Sequence, residues 1–315
     1  MSIESLRRSS VAIVTCMFLP ASAFSQGAAD TESWPETKQR MIERGQQYDT
    51  AWAFYQSLES MAEDTTLEPE EVPDWTGLWG RVGRGYDTDR DYSCEHTEHG
   101  CGPASTTAVL KGEYAEMFEE EVRKSDAGLI WDPHAGCGQP RGYPGMLKNG
   151  RPHEFAVTPH QTWHLGQARN EVRRIYTDGR GHTPADWAYP TEHGDSIGFW
   201  DGDRLITHTM HTNGGWIGRV MPYFSEALES IEIWRKVGEE TIQADVWLYD
   251  EEALAEPWYT RQIYTKMHQE EGSPLRLEYW WNCWSPNNMV TETEDGGTTF
   301  TDFDFTDMDD VVAEQ

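Results

Sequence analysis

The sequence predicts a mainly β fold, an antiparallel barrel that follows a helical N-terminal segment. Within its 315 residues, apolar and polar side chains alternate from residue 154 onward, which is typical of strands with one buried face. No helix of crossover length separates these segments, so a doubly wound sheet is disfavoured. A meander of this length protects its edges by closing into a barrel or by folding into a sandwich. The predicted strands are residues 154–165, 170–177, 196–200, 204–211, 229–236, 240–250, 259–268, 275–284 and 298–305.

Helical spacing of apolar residues precedes the barrel and predicts one helix over residues 34–63. The apolar positions at this spacing are Met41, Tyr48, Trp52, Tyr55, Leu58 and Met61. A second helix is predicted over residues 107–124, where Leu110, Tyr114 and Phe118 share one face. An acidic, proline-bounded linker at residues 68–73 leads into the barrel. We therefore assign a helical segment with its linker to residues 27–72 and a β-barrel domain to residues 73–310.

The first residues predict an export signal. Arg7 and Arg8 precede an apolar stretch at residues 11–19, and the small residues Ala21-Ser22-Ala23 follow it. The stretch is too short for a membrane anchor, which needs about 20 apolar residues. We expect cleavage between about Ala23 and Gln26, with residues 1–26 assigned to the signal peptide, which predicts a periplasmic or secreted protein.

The charge balance limits the possible partners. The chain carries 25 Lys and Arg against 55 Asp and Glu, for a formal net charge of −30. Such an acidic surface repels phosphates, which excludes nucleic acid and anionic membranes as partners. No later segment has the length and hydropathy of a membrane span, so we expect no membrane insertion.

The cysteines predict disulfides in an oxidising compartment. Apart from Cys16 in the predicted signal, the chain has Cys94, Cys101, Cys137 and Cys283. Of the three possible pairings we favour Cys94–Cys101, which closes a local loop, with Cys137–Cys283, which joins distant segments. The alternative is a zinc site, because two histidines lie between the first two cysteines in a C-x-H-x2-H-x-C pattern. That loop lacks the spacing of familiar zinc fingers, so disulfides remain the favoured interpretation.

The first strand of the barrel carries a short motif. Gly77-Leu78-Trp79 resembles the G-x-W entry of lipocalin-like barrels, in which the Trp plugs the barrel base. Three residues recur often by chance, but the downstream meander supports the same conclusion. The expected fold is therefore a lipocalin-like barrel.

A second resemblance extends over most of residues 73–288. The chain resembles a large family of exported, mostly uncharacterised bacterial proteins with W-T-G-x-W, R-R-I-Y-T-D-G-R-x-H and S-I-G-x-W-x-G-D motifs. The matching strings include Pro73-Asp74-Trp75-Thr76-Gly77-Leu78-Trp79, Cys137-Gly138-Gln139-Pro140-Arg141-Gly142-Tyr143-Pro144, Arg173-Arg174-Ile175-Tyr176-Thr177-Asp178-Gly179-Arg180-Gly181-His182 and Asp195-Ser196-Ile197-Gly198-Phe199-Trp200-Asp201-Gly202-Asp203.

The resemblance implies a common fold and a Cys137–Cys283 pairing, but no activity. The family usually has His where this chain has Asp195. Any role of that His is therefore carried here by Asp195 or His193, or it is lost.

One turn brings three chemically active side chains together in the sequence. Asp178, Arg180 and His182 lie within five residues at a predicted hairpin end. Arg180 can bind an anionic or carbonyl oxygen with two hydrogen bonds, and the imidazole of His182 can accept and donate a proton. The alternative is a tight Asp-Gly turn in which Arg180 simply pairs with Asp178. Asp195 is a reserve candidate for the same chemistry.

Three further histidines are candidates for acid–base work. His160 and His164 are four residues apart, so both face the same side if one strand contains them, and His208 lies on another predicted strand. If all three face the barrel interior, they form a three-nitrogen site that suits zinc or copper. The competing interpretations are surface or singly hydrogen-bonded core histidines, and a metal-free acid or base in an aromatic pocket. We favour the last over metal and predict no cofactor.

The 15 tryptophans are the strongest compositional anomaly. A barrel lined with some of them would hold a flat apolar or sugar-like ligand by stacking, while others form the core. The candidate ligand-binding residues are Trp163, Tyr176, Trp200, Trp216 and Trp280.

Together these features predict an exported enzyme. It would act on a small hydrophobic or aromatic molecule by His/Asp acid–base chemistry of the lyase, hydratase or isomerase type. One alternative is a non-catalytic protein that binds a small ligand, and another is a metalloenzyme that uses the histidine trio. The sequence has no G-x-S-x-G, P-loop, dinucleotide or H-E-x-x-H motif, which disfavours the enzyme classes that depend on them.

Overall fold

Nine of the strands form one closed sheet. The computed structural model describes residues 33–63, 65–83, 108–129, 142–216, 218, 221–268, 276–277, 290–292 and 298–300. The barrel strands are β1 (Leu78–Arg81), β2 (His153–Val157), β3 (Gln161–Gly166), β4 (Glu171–Tyr176), β5 (Asp195–Asp201), β6 (Arg204–Met210), β9 (Glu229–Gly238), β10 (Thr241–Tyr249) and β11 (Trp258–Lys266). Two separate hairpins pair β7 (Gly215–Trp216) with β8 (Tyr223–Phe224) and β12 (Val290–Glu292) with β13 (Thr298–Phe300).

Around the barrel the strands follow the order β1-β11-β10-β9-β6-β5-β4-β3-β2, and β2 pairs with β1 to close the ring. This confirms the predicted mainly β barrel. The strand direction is mixed rather than purely antiparallel, because β4 and β5 are parallel. The long connection over residues 177–194 follows β4 and brings the chain back beside the last residues of β4. Strand β5 therefore starts next to the end of β4 and runs in the same direction.

The predicted strand at residues 154–165 is two strands, β2 and β3. Thr158 donates its backbone N–H to the carbonyl of Gln161 at 2.9 Å, which closes a tight turn between them. Pro159 lies inside this turn and has no N–H to offer a ladder. The predicted strands 275–284 and 298–305 lie mostly outside the described residues.

The barrel interior is a packed core. Alternate residues of each strand face inward, and large rings occupy these positions. Trp79, Trp200, Trp234 and Tyr264 are all at most 1% exposed. A short segment at Gly142–Gly145 and Met146–Lys148 adds further buried side chains, and the hydroxyl of Tyr264 donates to the carbonyl of Leu147 at 2.8 Å.

The outer face of one side of the barrel is also buried, under two helices. These are α1 (Trp34–Gly45) and α2 (Ala51–Glu59). Their apolar faces pack on the outward side chains of β5, β6, β9 and β10, among them Ile197, Ile206 and Ile233. Trp247 donates its indole N–H to the carbonyl of Met41 at 2.8 Å, which fixes α1 on the sheet.

The prediction of one continuous helix over residues 34–63 was wrong at its centre. Helix α1 ends at Gly45 and α2 begins at Ala51, after its N-cap Thr50, whose hydroxyl accepts the N–H of Ala53 at 3.0 Å. This is a standard N-cap, which satisfies an N–H that the first turn leaves without a partner. The second predicted helix is α3 (Gly112–Asp126), shifted a few residues toward the C-terminus. In the described part of the chain, no helix combines the length and the hydropathy needed to cross a bilayer.

Candidate functional site

Two imidazoles and two carboxylates form a continuous chain on the outside of the barrel. His182 Nε2 and His208 Nδ1 are 2.7 Å apart. At one end, His182 Nδ1 lies 3.3 Å from Asp195 Oδ2, and at the other, His208 Nε2 lies 3.4 Å from Glu229 Oε2. We call Asp195, His182, His208 and Glu229 the histidine relay. Of these four, the sequence had suggested Asp195, His182 and His208 separately, but not Glu229.

The fold explains why these residues meet. Asp195 begins β5 and Glu229 begins β9, on either side of β6, which carries His208. His208 is in register with Ile197 on one neighbour and with Ile231 on the other. Since residues two apart face the same way, both carboxylates share the outer face with His208. His182 comes from the connection after β4, and the backbone N–H of Thr183 donates to Asp195 Oδ2 at 2.6 Å.

Helix α2 covers the relay. The Trp52 ring centroid lies 5.7 Å from that of His182 and 5.2 Å from that of His208, with edge-on geometry. Tyr55 lies 5.8 Å from His208 and stacks on Trp52. Glu229 accepts a hydrogen bond from the backbone N–H of Trp52, in the first turn of α2. These rings keep bulk water away from the imidazole pair, which strengthens the electrostatic interactions inside it.

Burial and contact set the charge states of the relay. The side chain of His208 is fully buried, and burial lowers its pKa, against the opposing effect of Glu229. Burial alone would raise the pKa of Asp195, but the nearby His182 imidazole and the hydrogen bond from the N–H of Thr183 bring it down to about 2. The pKa of Glu229 is likewise lowered, because the contacts with His208 and Trp52 outweigh its burial. Both carboxylates are therefore ionised at neutral pH.

A proton count shows what this arrangement can do. Two neutral imidazoles carry two N–H groups between them, whereas the relay has three contacts that a proton can bridge. With both carboxylates ionised, a third proton on the histidine pair completes all three contacts. The two end contacts are longer than hydrogen bonds, and His182 Nδ1 and His208 Nε2 have no hydrogen-bond partner among the residues that the structure describes, so a proton taken up there requires each imidazole to move closer to its carboxylate.

The Asp195 end of the relay reaches a cleft of about 470 Å³. β4 and β5 pair only through Ile175 with Ser196 and Tyr176 with Ile197, so the earlier part of β4 has no β5 residue beside it. The cleft lies in this gap. Its walls include Val172, Arg174, Tyr176, Thr191, Glu192, His193 and Asp195.

The predicted Asp178–Arg180–His182 set is divided. Arg180 forms bidentate hydrogen bonds with Asp178 at 2.6 to 3.0 Å, on an exposed turn. Its guanidinium also lies 4.0 Å from the Tyr176 ring centroid. The structure thus supports the turn interpretation for Asp178 and Arg180, while His182 belongs to the relay.

The predicted convergence of His160, His164 and His208 is wrong. His160 lies exposed in the turn between β2 and β3. His164 faces the barrel interior, where its Nε2 is 2.9 Å from His153 Nδ1, and His208 is on the outer face. The three rings lie in three different environments. The turn at Pro159 separates His160 from the strand, and the side chains of His164 and His208 point to opposite faces of the sheet. Across the described residues, no three His, Cys, Asp or Glu side chains are grouped so that they could hold a metal ion.

The aromatic ligand-binding candidates are also scattered. Trp200 is fully buried in the interior, where its ring centroid lies 5.8 Å from that of Trp75. Trp163 on β3 and Tyr176 on β4 each follow an inward-facing residue, so their side chains lie on the outer face of the barrel. The predicted chamber lined by these rings is thus, where the structure describes it, a packed core.

Several predictions lie outside the described residues. They concern the side chain of Trp216, Trp280, and the cysteines Cys94, Cys101, Cys137 and Cys283. The disulfide pairings therefore stay predictions.

Sequence reasoning missed a charged cluster inside the barrel. Arg173 Nη1 donates to both oxygens of Glu232 at 3.0 and 2.9 Å, and both side chains are fully buried. Arg173 also donates to Ser196 Oγ at 3.0 Å and to Thr209 Oγ1 at 2.7 Å. The signal was present, because Arg173 alternates with the apolar residue Ile175 on β4. A charged residue on the inner face of a strand indicates a buried partner.

No family model, curated protein or solved structure matches this chain. The resemblance to the exported bacterial family stays a prediction, and the candidate function rests on the geometry of the histidine relay.

Proposed function

We propose that this protein is an exported enzyme that moves protons on a small hydrophobic or aromatic molecule, in a reaction of the lyase, hydratase or isomerase type. The observation that carries the proposal is the histidine relay. It couples two imidazoles 2.7 Å apart to an ionised carboxylate at each end. The predicted signal at residues 1–26 supports a periplasmic or secreted location.

The proposed roles follow from exposure. Asp195 lines the cleft, and the side chain of His182 behind it is 10% exposed. A molecule in the cleft therefore meets the Asp195–His182 end, where a proton is exchanged between the substrate and this carboxylate–imidazole pair. His208 and Glu229 act as positioning residues that fix the orientation of His182 and hold the shared proton. General acid–base catalysis of this kind contributes about 10²- to 10⁴-fold in rate.

The proposal is tested by hydrogen exchange at carbon. The purified protein is incubated in D₂O with a library of small carbonyl and aromatic compounds, and mass spectrometry detects deuterium incorporation. Wild type is expected to label at least one compound, and His182→Gln is expected to slow that labelling by about 10²-fold or more. The matched control is His160→Gln, which changes an exposed histidine on a turn. Equal labelling by His182→Gln and wild type would remove His182 from the mechanism.

The second candidate is a non-catalytic protein that binds a small ligand. The cleft itself favours it, and the contact between Glu229 and the Trp52 N–H gives the relay a structural role, because it holds α2 against the barrel without any proton transfer. In that case compounds would bind to the cleft, but no member of the library would exchange hydrogen in wild type.

A further inference from the structure

The cleft beside Asp195 carries a cation that the fold itself does not use. Arg174 is exposed on the outer face of β4, between Val172 and Tyr176. Among the described residues, no carboxylate lies within ion-pair distance of it. Three other arginines of the barrel are paired: Arg173 with Glu232, Arg180 with Asp178 and Arg204 with Asp201.

Strand register places this cation next to the relay. Ile175 pairs with Ser196, and the residues that precede them, Arg174 and Asp195, both line the cleft. Asp195 is engaged by His182 and Thr183, so its charge is partly satisfied. Burial lowers the pKa of His193, on the same wall, to about 4, so this imidazole is neutral near pH 7.

We propose that Arg174 binds the carboxylate of the substrate, and that the substrate is a small aromatic or apolar carboxylic acid. The planar guanidinium can donate two parallel hydrogen bonds to a carboxylate. Val172 and Tyr176 lie on either side of Arg174 on the same strand face, so they offer the apolar body of the ligand a surface. The inference rests on the proposed function, because it assigns the substrate class of the same cleft.

One residue opposes this assignment and so gives it a second test. Glu192 also lines the cleft, and its carboxylate repels an anionic ligand. If Arg174 receives the carboxylate, Glu192→Gln should strengthen the binding of an aromatic acid by about two- to fivefold, the range typical of exposed charge pairs.

The experiment is a calorimetric titration with benzoate and with benzamide, a neutral molecule of the same shape. Benzoate is expected to bind wild type in a saturable manner and more tightly than benzamide. Arg174→Gln should weaken the binding of benzoate about tenfold or more and leave the binding of benzamide unchanged. The affinity of Arg174→Lys for benzoate should lie between those of wild type and Arg174→Gln, since a lysine cannot form the bidentate pair. Arg204→Gln makes the same change in net charge on a hairpin turn and should bind benzoate like wild type.

Three results would overturn the assignment. They are an absence of saturable benzoate binding, equal affinity of wild type and Arg174→Gln, and equal affinity for benzoate and benzamide. Because binding is measured without turnover, an absence of hydrogen exchange in wild type would leave the benzoate titration unaffected. Loss of the benzoate site and failure of the proposed acid–base function are therefore separate outcomes.

Discussion

The buried pair of Arg173 and Glu232 gives a demanding test of the barrel interior. Glu232 accepts from Arg173, from the Thr207 hydroxyl at 2.8 Å and from the Trp234 indole at 2.7 Å. Replacing Arg173 with Met removes the only positive charge described against this carboxylate and leaves it without a counter-ion in the core. Removing one partner of a buried ion pair typically costs about 3–5 kcal/mol. Ser196 and Thr209 keep a partner, because their hydroxyls lie 2.9 Å apart.

The assay is urea denaturation, which reports the free energy of unfolding of Arg173→Met relative to wild type. The double variant Arg173→Met with Glu232→Met should recover part of the loss, because it removes the unpaired charge but leaves the Thr207 hydroxyl and the Trp234 indole without their acceptor. Arg204→Met, which removes a partly exposed pair with Asp201, should cost less than about 1 kcal/mol. A loss below about 1 kcal/mol for Arg173→Met would refute the assignment of a buried, charged pair.

Two more predictions concern the packing of α1 and the charge of Asp195. A Cβ on Gly45 would lie 2.5 Å from Cδ1 of Trp247, so Gly45→Ala should lower the free energy of unfolding by about 1–3 kcal/mol in urea denaturation. The control is Gly150→Ala, which should not destabilise the protein because open space surrounds that position. The pKa of Asp195 is lowered to about 2, so its contribution to stability is present above the unfolded pKa and is lost as pH falls toward 2. The free energy of unfolding of wild type should therefore exceed that of Asp195→Asn by about 1 kcal/mol at pH 6, after allowance for partial exposure of the side chain. This difference in stability should vanish near pH 2. A difference that does not change with pH would contradict the ionised Asp195.

The barrel was largely predictable because strand periodicity is local. Alternation at residues 204–211 and 240–250 predicted β6 and β10 within two residues of their observed ends. The same rule failed at residues 154–165, where Pro159 was treated as part of a strand. The parallel pairing of β4 with β5 was not visible either, since it depends on where the connection at residues 177–194 returns.

The site was predictable only as separate residues. His182 and His208 are 26 positions apart, and their contact follows from the path of the connection after β4 and not from any local spacing. Glu229 escaped notice because it begins a strand as an ordinary polar residue. What the sequence does contain is a signal for the inner cluster, since Arg173 and Glu232 occupy inward positions on the same strand faces as Ile175 and Trp234.

The central claim is that Asp195, His182, His208 and Glu229 act as one proton-holding unit. The direct measurement is nitrogen NMR of the histidine rings as a function of pH, in wild type and in Asp195→Asn, with exposed His160 as the internal control. We predict that the rings of His182 and His208 change protonation in one shared transition, and that Asp195→Asn displaces this transition in both rings while His160 is unaffected. Independent transitions of the two rings, or no response of either ring to Asp195→Asn, would contradict the account.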